Sequence, residues 1–466
     1  MSSVDTTVVN VALETLARDF GASITSVQWV ATAYLLALVA MIPLAGWASD
    51  RFGGKRVWIA SVALFVAGSM LAGAAWSLGS LIFFRTLQGL GGGMIVPVGM
   101  TLLSRAAGQA RMGRVMSILG VQQLLGPVLG PVLGGALVEH AGWRWIFFIN
   151  VPLGALTIPL AARLLPKDAA QAGKRFDGLG FLLVSPGMAA LIYGLTEAER
   201  AGGLTPRAFV PILAGLGLVA GFVFHARRSK TLIDVGLFRR RAFSAGVGTT
   251  FFLGAGLYGA LFLLPLYYQG ARGASPLEAG LLMMPQGIGA AVIMPFAGRL
   301  TDRAGPGLVV LGGLALIVVG TLPFALAGSS TSYPLLAAAL AVRGLGIGAA
   351  TMPAMAGAYA SLGKESLAQA ASVLTVLRRL GGSLGVALCA VVLEHSLPGS
   401  AGGVTDRAAP TAVMADAFAA TFWWVFAFCA LAFIPAAFLP RRPPVEAGDS
   451  KRLRPGWSTH HAAADA

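Results

Sequence analysis

Apolar runs of about 20 residues, each closed by a Gly, Pro or charged break, recur along almost the whole chain. Each is long enough to cross a hydrocarbon layer of ~30 Å as a helix. Read against the turn and charge signals, the runs fall near 4–14, 28–48, 57–76, 80–104, 115–138, 145–165 and 178–196. Seven more fall near 209–225, 243–269, 277–298, 307–327, 334–354, 370–394 and 418–439. The pattern predicts fourteen spans in an all-α integral membrane protein.

Composition agrees. Of 466 residues, 56% are hydrophobic and 11% charged, against roughly 25% charged in an average soluble protein. The formal charge of +15 raises the question of a nucleic-acid partner. Its distribution excludes one, because the basic residues are scattered among short loops rather than gathered on one face or tail. With both termini taken as cytoplasmic, inside loops and the C-terminal tail hold 24 Lys and Arg, outside loops hold six, and four (Arg85, Arg343, Arg378, Arg379) fall within spans. That bias sets the N and C termini on the cytoplasmic side of a cell membrane. Cys389 and Cys429 lie inside apolar runs and define no disulfide framework. His140, His225 and His395 stand singly at helix ends, and a His460–His461 pair closes no metal site. With no catalytic constellation, no metal site and no G-x-x-x-x-G-K-[ST] nucleotide loop, the expectation is a non-enzyme without cofactors, powered by an ion gradient.

The first run, VDTTVVNVAL, carries a carboxylate at Asp5. A helix from Met1 to Leu13 rises only ~20 Å, so the expectation is a first span truncated as written, with Asp5 near mid-membrane once an upstream apolar half is restored. A charge there costs about 3 kcal/mol or more. Asp5 is the only acid clearly at membrane depth. Glu139, Asp177, Glu197, Glu394 and Asp416 fall at ends or in loops. An acid that is neutral when protonated and anionic when empty suits exchange of a proton for a solute. The alternative is a structural bond to Thr6, Asn10 or a neighbouring helix.

An internal repeat is legible. GWASDRFGGK (46–55) ends the second run and GRLTDRAGP (298–306) the tenth, while QGLGGG (88–93) in the fourth is echoed by RGLGIG (343–348) in the twelfth. The expected organisation is an N-terminal six-helix bundle (1–165), two inserted helices (166–230), a C-terminal six-helix bundle (231–440) and a Pro-rich, charged, disordered tail (441–466). Repeats around a midplane site are typical of secondary transporters.

Three motifs carry candidate chemistry. In GWASDRFGGKR, Gly46 permits close helix approach and Gly53 and Gly54 a tight turn. Asp50 can accept from amides at a neighbouring helix end, and Arg51, Lys55 and Arg56 hold the loop inside. With Asp302 and Arg303 of the repeat, these residues form a candidate gating latch. LLGPVLGPVLGG (124–135) puts Gly126, Gly130 and Gly134 on one smooth face, with Gly135 following, and Pro127 and Pro131 bend the same helix. Arg85 in LIFFRTLQGLGGG lies inside the fourth run and must face a cavity or a partner unless it snorkels to the interface.

The 46–56 signature resembles the loop between spans two and three of the major facilitator superfamily, and the double Gly-Pro stretch resembles that superfamily's antiporter motif. WVATAYLLALVAMIPLAGWASDR (29–51), GWRWIFFINVPLG (142–154), FDGLG (176–180), LIDVGLFRRRAF (232–243) and RRLGGSLGVAL (378–388) resemble the fourteen-span drug:proton antiporters of the EmrB/QacA type. The resemblance runs from residue 4 to about 439. It implies a major facilitator fold, proton coupling through Asp5 with help from Arg85, and efflux of drugs or antibiotics by alternating access. Two positions depart from the family's pattern. Glu14 stands where proline is usual. Arg379 stands where glutamine is common, changing the charge near the cavity of the C-terminal half.

Asn10, Tyr34, Gln122, Gln123, Tyr258 and Gln286 are the candidate lining of the substrate cavity. Aromatic and polar groups with few fixed charges suit small amphipathic or cationic substrates. The implied partners are the lipid bilayer, protons and such solutes, for a chain acting as a monomer. A dedicated exporter of one natural product, lipid or amino acid is the alternative transporter, and a non-transporting membrane sensor the alternative from a different class.

Overall fold

In a computed structural model, the structure describes residues 5, 8, 9, 12–107, 114, 115, 120, 130, 133–165, 176–228, 232–328, 330–360, 362, 363, 366–397 and 411–441. Among these, twelve helices are long and apolar enough to cross a membrane: Ile24–Met41, Gly54–Gly73, Leu78–Ser104, Trp145–Leu164, Gly178–Arg200, Pro206–Arg228, Arg241–Ala271, Leu277–Ala304, Pro306–Ala325, Tyr333–Tyr359, Leu367–Ser396 and Val413–Ala436. They coincide with twelve of the fourteen expected runs. The other two, near 4–14 and 115–138, lie largely outside the described residues. The described residues contain no strand.

Helix limits differ from the apolar runs for local reasons. The run near 28–48 divides into Trp29–Met41 and Leu44–Phe52, because Pro43 has no amide to continue the ladder. The run near 145–165 divides at Ile149 into Trp145–Phe148 and Asn150–Leu164. Leu78–Ala107, Tyr333–Tyr359 and Leu367–Ser396 extend past their runs, since helix continues into polar residues beyond the apolar core. Large apolar side chains such as Leu156, Val210, Leu213, Ile288, Val292 and Phe296 face outward, an apolar belt of the kind a bilayer covers.

The sequence repeat is a packing repeat. A β-carbon at Gly89 would lie 2.4 Å from Tyr34 O, and one at Gly344 would lie 2.1 Å from Gln286 O. Gly93 and Gly348 press on Leu38 O and Ala290 O of the same two partner helices. On the opposite face, Gly91 meets Phe65 N and Ser61 O, and Gly346 meets Gly313 O and Ile317 N. So the Arg85 helix (Leu78–Ala107) and the Arg343 helix (Tyr333–Tyr359) are each clamped between two neighbours at distances only glycine allows. The turns repeat as well. Gly53 (φ 86°, ψ 134°) and Gly305 (φ 84°, ψ 152°) follow Asp50-Arg51 and Asp302-Arg303 in left-handed φ, and their amides donate to Ser49 O and Thr301 O, both at 3.0 Å.

The helix Gly178–Arg200 lies along the seam between the halves of the chain. Arg200 Nη2 donates to Thr32 Oγ1 (2.9 Å) and Tyr193 stacks on Trp29 (ring centroids 5.9 Å), while Leu195 and Ala198 pack with Ala387 of Leu367–Ser396. Contacts between the halves are dense at the end bearing the Asp50 turn. There Leu38 and Met100 share one core with Met352, Met355, Tyr359, Leu367 and Leu374, and a β-carbon at Gly46 would lie 3.2 to 3.3 Å from Gln369.

Candidate functional site

Asp5 and Arg85, 80 residues apart, form an ion pair of 2.7 Å between side chains with no exposed surface. Arg85 Nη1 also donates to Gln88 Oε1 (2.7 Å), and Gln88 Nε2 donates to Asp5 Oδ1 (3.0 Å). Asn150 Nδ2 donates to the same oxygen at 3.2 Å and to Ser69 Oγ at 3.1 Å. Arg85 Nε reaches Val30 O (3.3 Å), and the guanidinium lies over the Tyr34 ring, 4.1 Å from its centroid. Two segments far from Asp5 in sequence, the helix of Arg85 and Gln88 and that of Asn150, thus meet on its carboxylate.

Local sequence explains the assembly. Arg85 and Gln88 are three residues apart on one helix and so share a face. Gly68 lets its helix approach the Gln88 backbone, where a β-carbon would lie 2.7 Å away. Asn150 is buried, and Ser69 Oγ, donating to Phe147 O (2.8 Å), fixes the acceptor for its amide. Arg85 Nη2 is buried with no hydrogen-bond partner among the described residues.

This placement replaces the interfacial alternative for Arg85: the side chain is fully buried and partnered, not snorkelling. It also supplies the partners of Asp5 that sequence reading missed. Gln88, Asn150 and Ser69 carry no individual signal, although the i, i+3 spacing of Arg85 and Gln88 was available. Thr6 and Asn10, weighed as partners of Asp5, lie outside the described residues.

The remaining candidates fall in several places. Tyr34 is buried beneath Arg85, and Tyr258 is 37% exposed on the helix Arg241–Leu266. Gln286 is buried and accepts from Arg343 Nη1 at 2.5 Å; Arg343 also donates to Thr321 Oγ1 (3.2 Å) and Gly256 O (3.0 Å). Gln122 and Gln123 lie outside the described residues, as do Gly126, Pro127 and Pro131 of the double Gly-Pro motif. Gly130 and Gly134 are buried, and Gly134 packs on Val8, three residues from Asp5, where a β-carbon would lie 3.0 Å from Val8 Cγ1. Nothing lies within 4 Å of a β-carbon at Gly135. In the turn, Asp50 is buried and Arg51 and Arg56 are exposed. Lys55 Nζ donates to Ala162 O (2.7 Å) and Leu165 O (2.6 Å), closing the end of Asn150–Leu164. Asp302 is half-buried and Arg303 exposed. His225, expected to stand alone, bonds through Nε2 to Asp177 Oδ1 at 3.0 Å. The described residues contain no group of three or more metal-ligating side chains.

A bundle of apolar helices with a repeated glycine clamp and a charge network held at its centre defines a multi-pass membrane transport protein rather than an enzyme. The chain belongs to the Major Facilitator Superfamily, whose family model matches residues 1–386. It is 39% identical over 475 aligned positions to the multidrug resistance protein B homolog of Mycobacterium tuberculosis, covering 95% of this chain and 88% of that one. It is 33% identical over 401 positions to MdtD of Klebsiella pneumoniae, covering 84% and 83%. Among solved structures it is similar to the human organic anion transporter MFSD10 (TETRAN), with a TM-score of 0.59 over 91% of this chain and 88% of that one. At 18% identity that likeness speaks to the fold alone.

Proposed function

We propose that this chain is a proton-coupled efflux carrier that exchanges amphipathic drugs or antibiotics for protons by alternating access, as a fourteen-span, EmrB/QacA-type antiporter in the cell membrane with both termini cytoplasmic. The observation that carries this reading is the buried Asp5–Arg85 pair with its Gln88 and Asn150 supports. A protonated Asp5 cannot keep the ion pair, and an ionised one holds it. A proton on Asp5 therefore weakens the contact between the Asp5 segment and the Arg85 helix, giving a two-state element that one proton biases. Charge-assisted hydrogen bonds are roughly twice as strong as neutral ones, so the two states differ in how firmly these elements are held.

Supporting features follow the same logic. The Asp50 and Asp302 turns act as latches at the cytoplasmic end, where Gly46 approaches Gln369. Gly134 packs on Val8 beside Asp5, and the double Gly-Pro stretch seals against proton leak. Energy comes from the proton gradient with no cofactor, and the carrier works as a monomer. The names of the multidrug resistance relatives favour drugs as the cargo.

The test uses purified protein in liposomes loaded with a drug panel. Wild type should release protons when drug is added and lose accumulation when an uncoupler collapses the gradient. Asp5→Asn should retain drug counterflow while drug-driven proton movement disappears. Proton movement at the wild-type rate in Asp5→Asn would refute the reading.

A further inference from the structure

The centre of the molecule holds a positive charge that the Asp5 pair does not neutralise. Arg379 lies midway along the helix Leu367–Ser396. Two faces of that helix are taken. Gly381 and Gly385 press on Phe251 O and Ala255 O of Arg241–Leu266, each with a β-carbon distance of 2.2 Å, and Leu380, Leu384 and Ala387 pack toward Gly178–Arg200. The stripe between these faces carries Ser372, Thr375, Arg379, Ser383 and Val386 at helical spacing. Ser372 and Thr375 are buried, whereas Arg379, Ser383 and Val386 are half-buried. The stripe therefore passes from buried to half-buried positions at Arg379.

Arg379 lies near both halves of the chain. Tyr34, from the N-terminal half, and Tyr258, from the C-terminal half, are both within electrostatic reach of Arg379. Tyr258 packs its ring on Gly382, where a β-carbon would lie 2.7 Å away, yet keeps 37% of its surface exposed. Arg379 Nε is buried and has no hydrogen-bond partner among the described residues. Arg343 is satisfied only by neutral oxygens. Asp5 is committed to Arg85. A guanidinium held at membrane depth without a carboxylate is rare and belongs to a substrate pathway.

We propose that the Arg379 site selects an amphipathic organic anion, its carboxylate on the Arg379 guanidinium and its ring against Tyr258, which narrows the amphipathic or cationic solutes expected from sequence to anions. A planar guanidinium fork matches a carboxylate in bidentate fashion, and the phenol ring supplies an apolar face. A cation in the same place meets the Arg379 guanidinium and is repelled. The proposal rests on the carrier reading above but not on proton coupling.

The test is equilibrium binding to the purified full chain in detergent without a gradient, using three probes with one ring: naphthylacetate, naphthylacetamide and naphthylethylammonium. The carboxylate should bind at least about tenfold tighter than the amide or the ammonium. Arg379→Gln should erase that preference and Arg379→Lys should keep part of it. Ammonium binding as tight as the carboxylate's, a preference that survives Arg379→Gln, or no binding by any probe overturns the proposal. So does carboxylate binding abolished by phosphatidylglycerol but not by phosphatidylcholine, which assigns the guanidinium to a lipid headgroup. Should Arg379→Gln fail to fold, the ranking on wild type decides. Intact preference with no drug-driven proton movement in vesicles would sink the coupling reading and leave this one standing, and the reverse result does the opposite.

Discussion

Arg85 and Arg343 occupy corresponding helices of the two repeats, both fully buried, and they are satisfied in opposite ways. Aligning QGLGGG with RGLGIG sets Arg343 in the place of Gln88, and Leu340 in the place of Arg85 one turn earlier. The surroundings correspond too. Gly68 admits the Gln88 backbone and Gly320 the Arg343 backbone; Tyr34 and Gln286 approach the paired glycines; Ser69 and Thr321 supply hydroxyls to the two networks. Within this shared frame the N-terminal arginine faces a carboxylate, and the C-terminal one, among the described residues, donates to Gln286, Thr321 and the Gly256 carbonyl. A carboxylate partner can be neutralised by one proton, whereas amide, hydroxyl and carbonyl oxygens cannot. On the proposed reading, one repeat holds the switch and the other a fixed charge.

The sharpest way to break this comparison is to remove one charge at a time. Asp5→Ala should destabilise the detergent-solubilised protein by about 3–5 kcal/mol, because it strands a buried guanidinium. The double variant Asp5→Ala with Arg85→Leu should recover a large part of that loss in thermal unfolding. A double-mutant cycle with no coupling would remove the ion pair from any structural role.

Matched glycine substitutions test whether the frame is shared. Gly89→Ala and Gly344→Ala each drive a methyl group into a backbone carbonyl, and each should lower stability by about 1–3 kcal/mol. A large loss in one and none in the other would show that the clamps are not equivalent. Arg343→Gln should cost less, about 1–2 kcal/mol, since it leaves no opposite charge behind. A loss matching that of Asp5→Ala would mean that Arg343 is held by more than neutral acceptors. The smallest effect belongs to Lys55→Ala. It removes a cation from a helix C-terminus and should cost about 0.3–1 kcal/mol, seen as a slight drop in melting temperature.

The helices were legible in the chain because bilayer thickness imposes a length that hydropathy records directly. The repeat was legible because the clamp tolerates only glycine at Gly89, Gly93, Gly344 and Gly348, and because Gly53 and Gly305 adopt positive φ. The charge network was legible only in part. Asp5 and Arg85 each signalled a cost that required a partner, but nothing in their spacing says that they meet. That pairing is decided by which faces the helices turn to one another. Gln286 read as a cavity residue for the same reason: a midplane glutamine looks alike from sequence whether it meets a solute or Arg343. Asn150 was hidden for the same reason, since a lone Asn inside an apolar run does not say which helix its amide meets.

The 80 residues between Asp5 and Arg85 have a consequence for biosynthesis. At about 5–20 residues per second, the ribosome needs on the order of ten seconds to make the guanidinium after the carboxylate, and Asn150 comes later still. The insertion machinery must keep the first segment in a polar setting until its counterpart emerges. Arg343 meets no such delay, because Gly256, Gln286 and Thr321 all precede it in the order of synthesis and are waiting when it arrives.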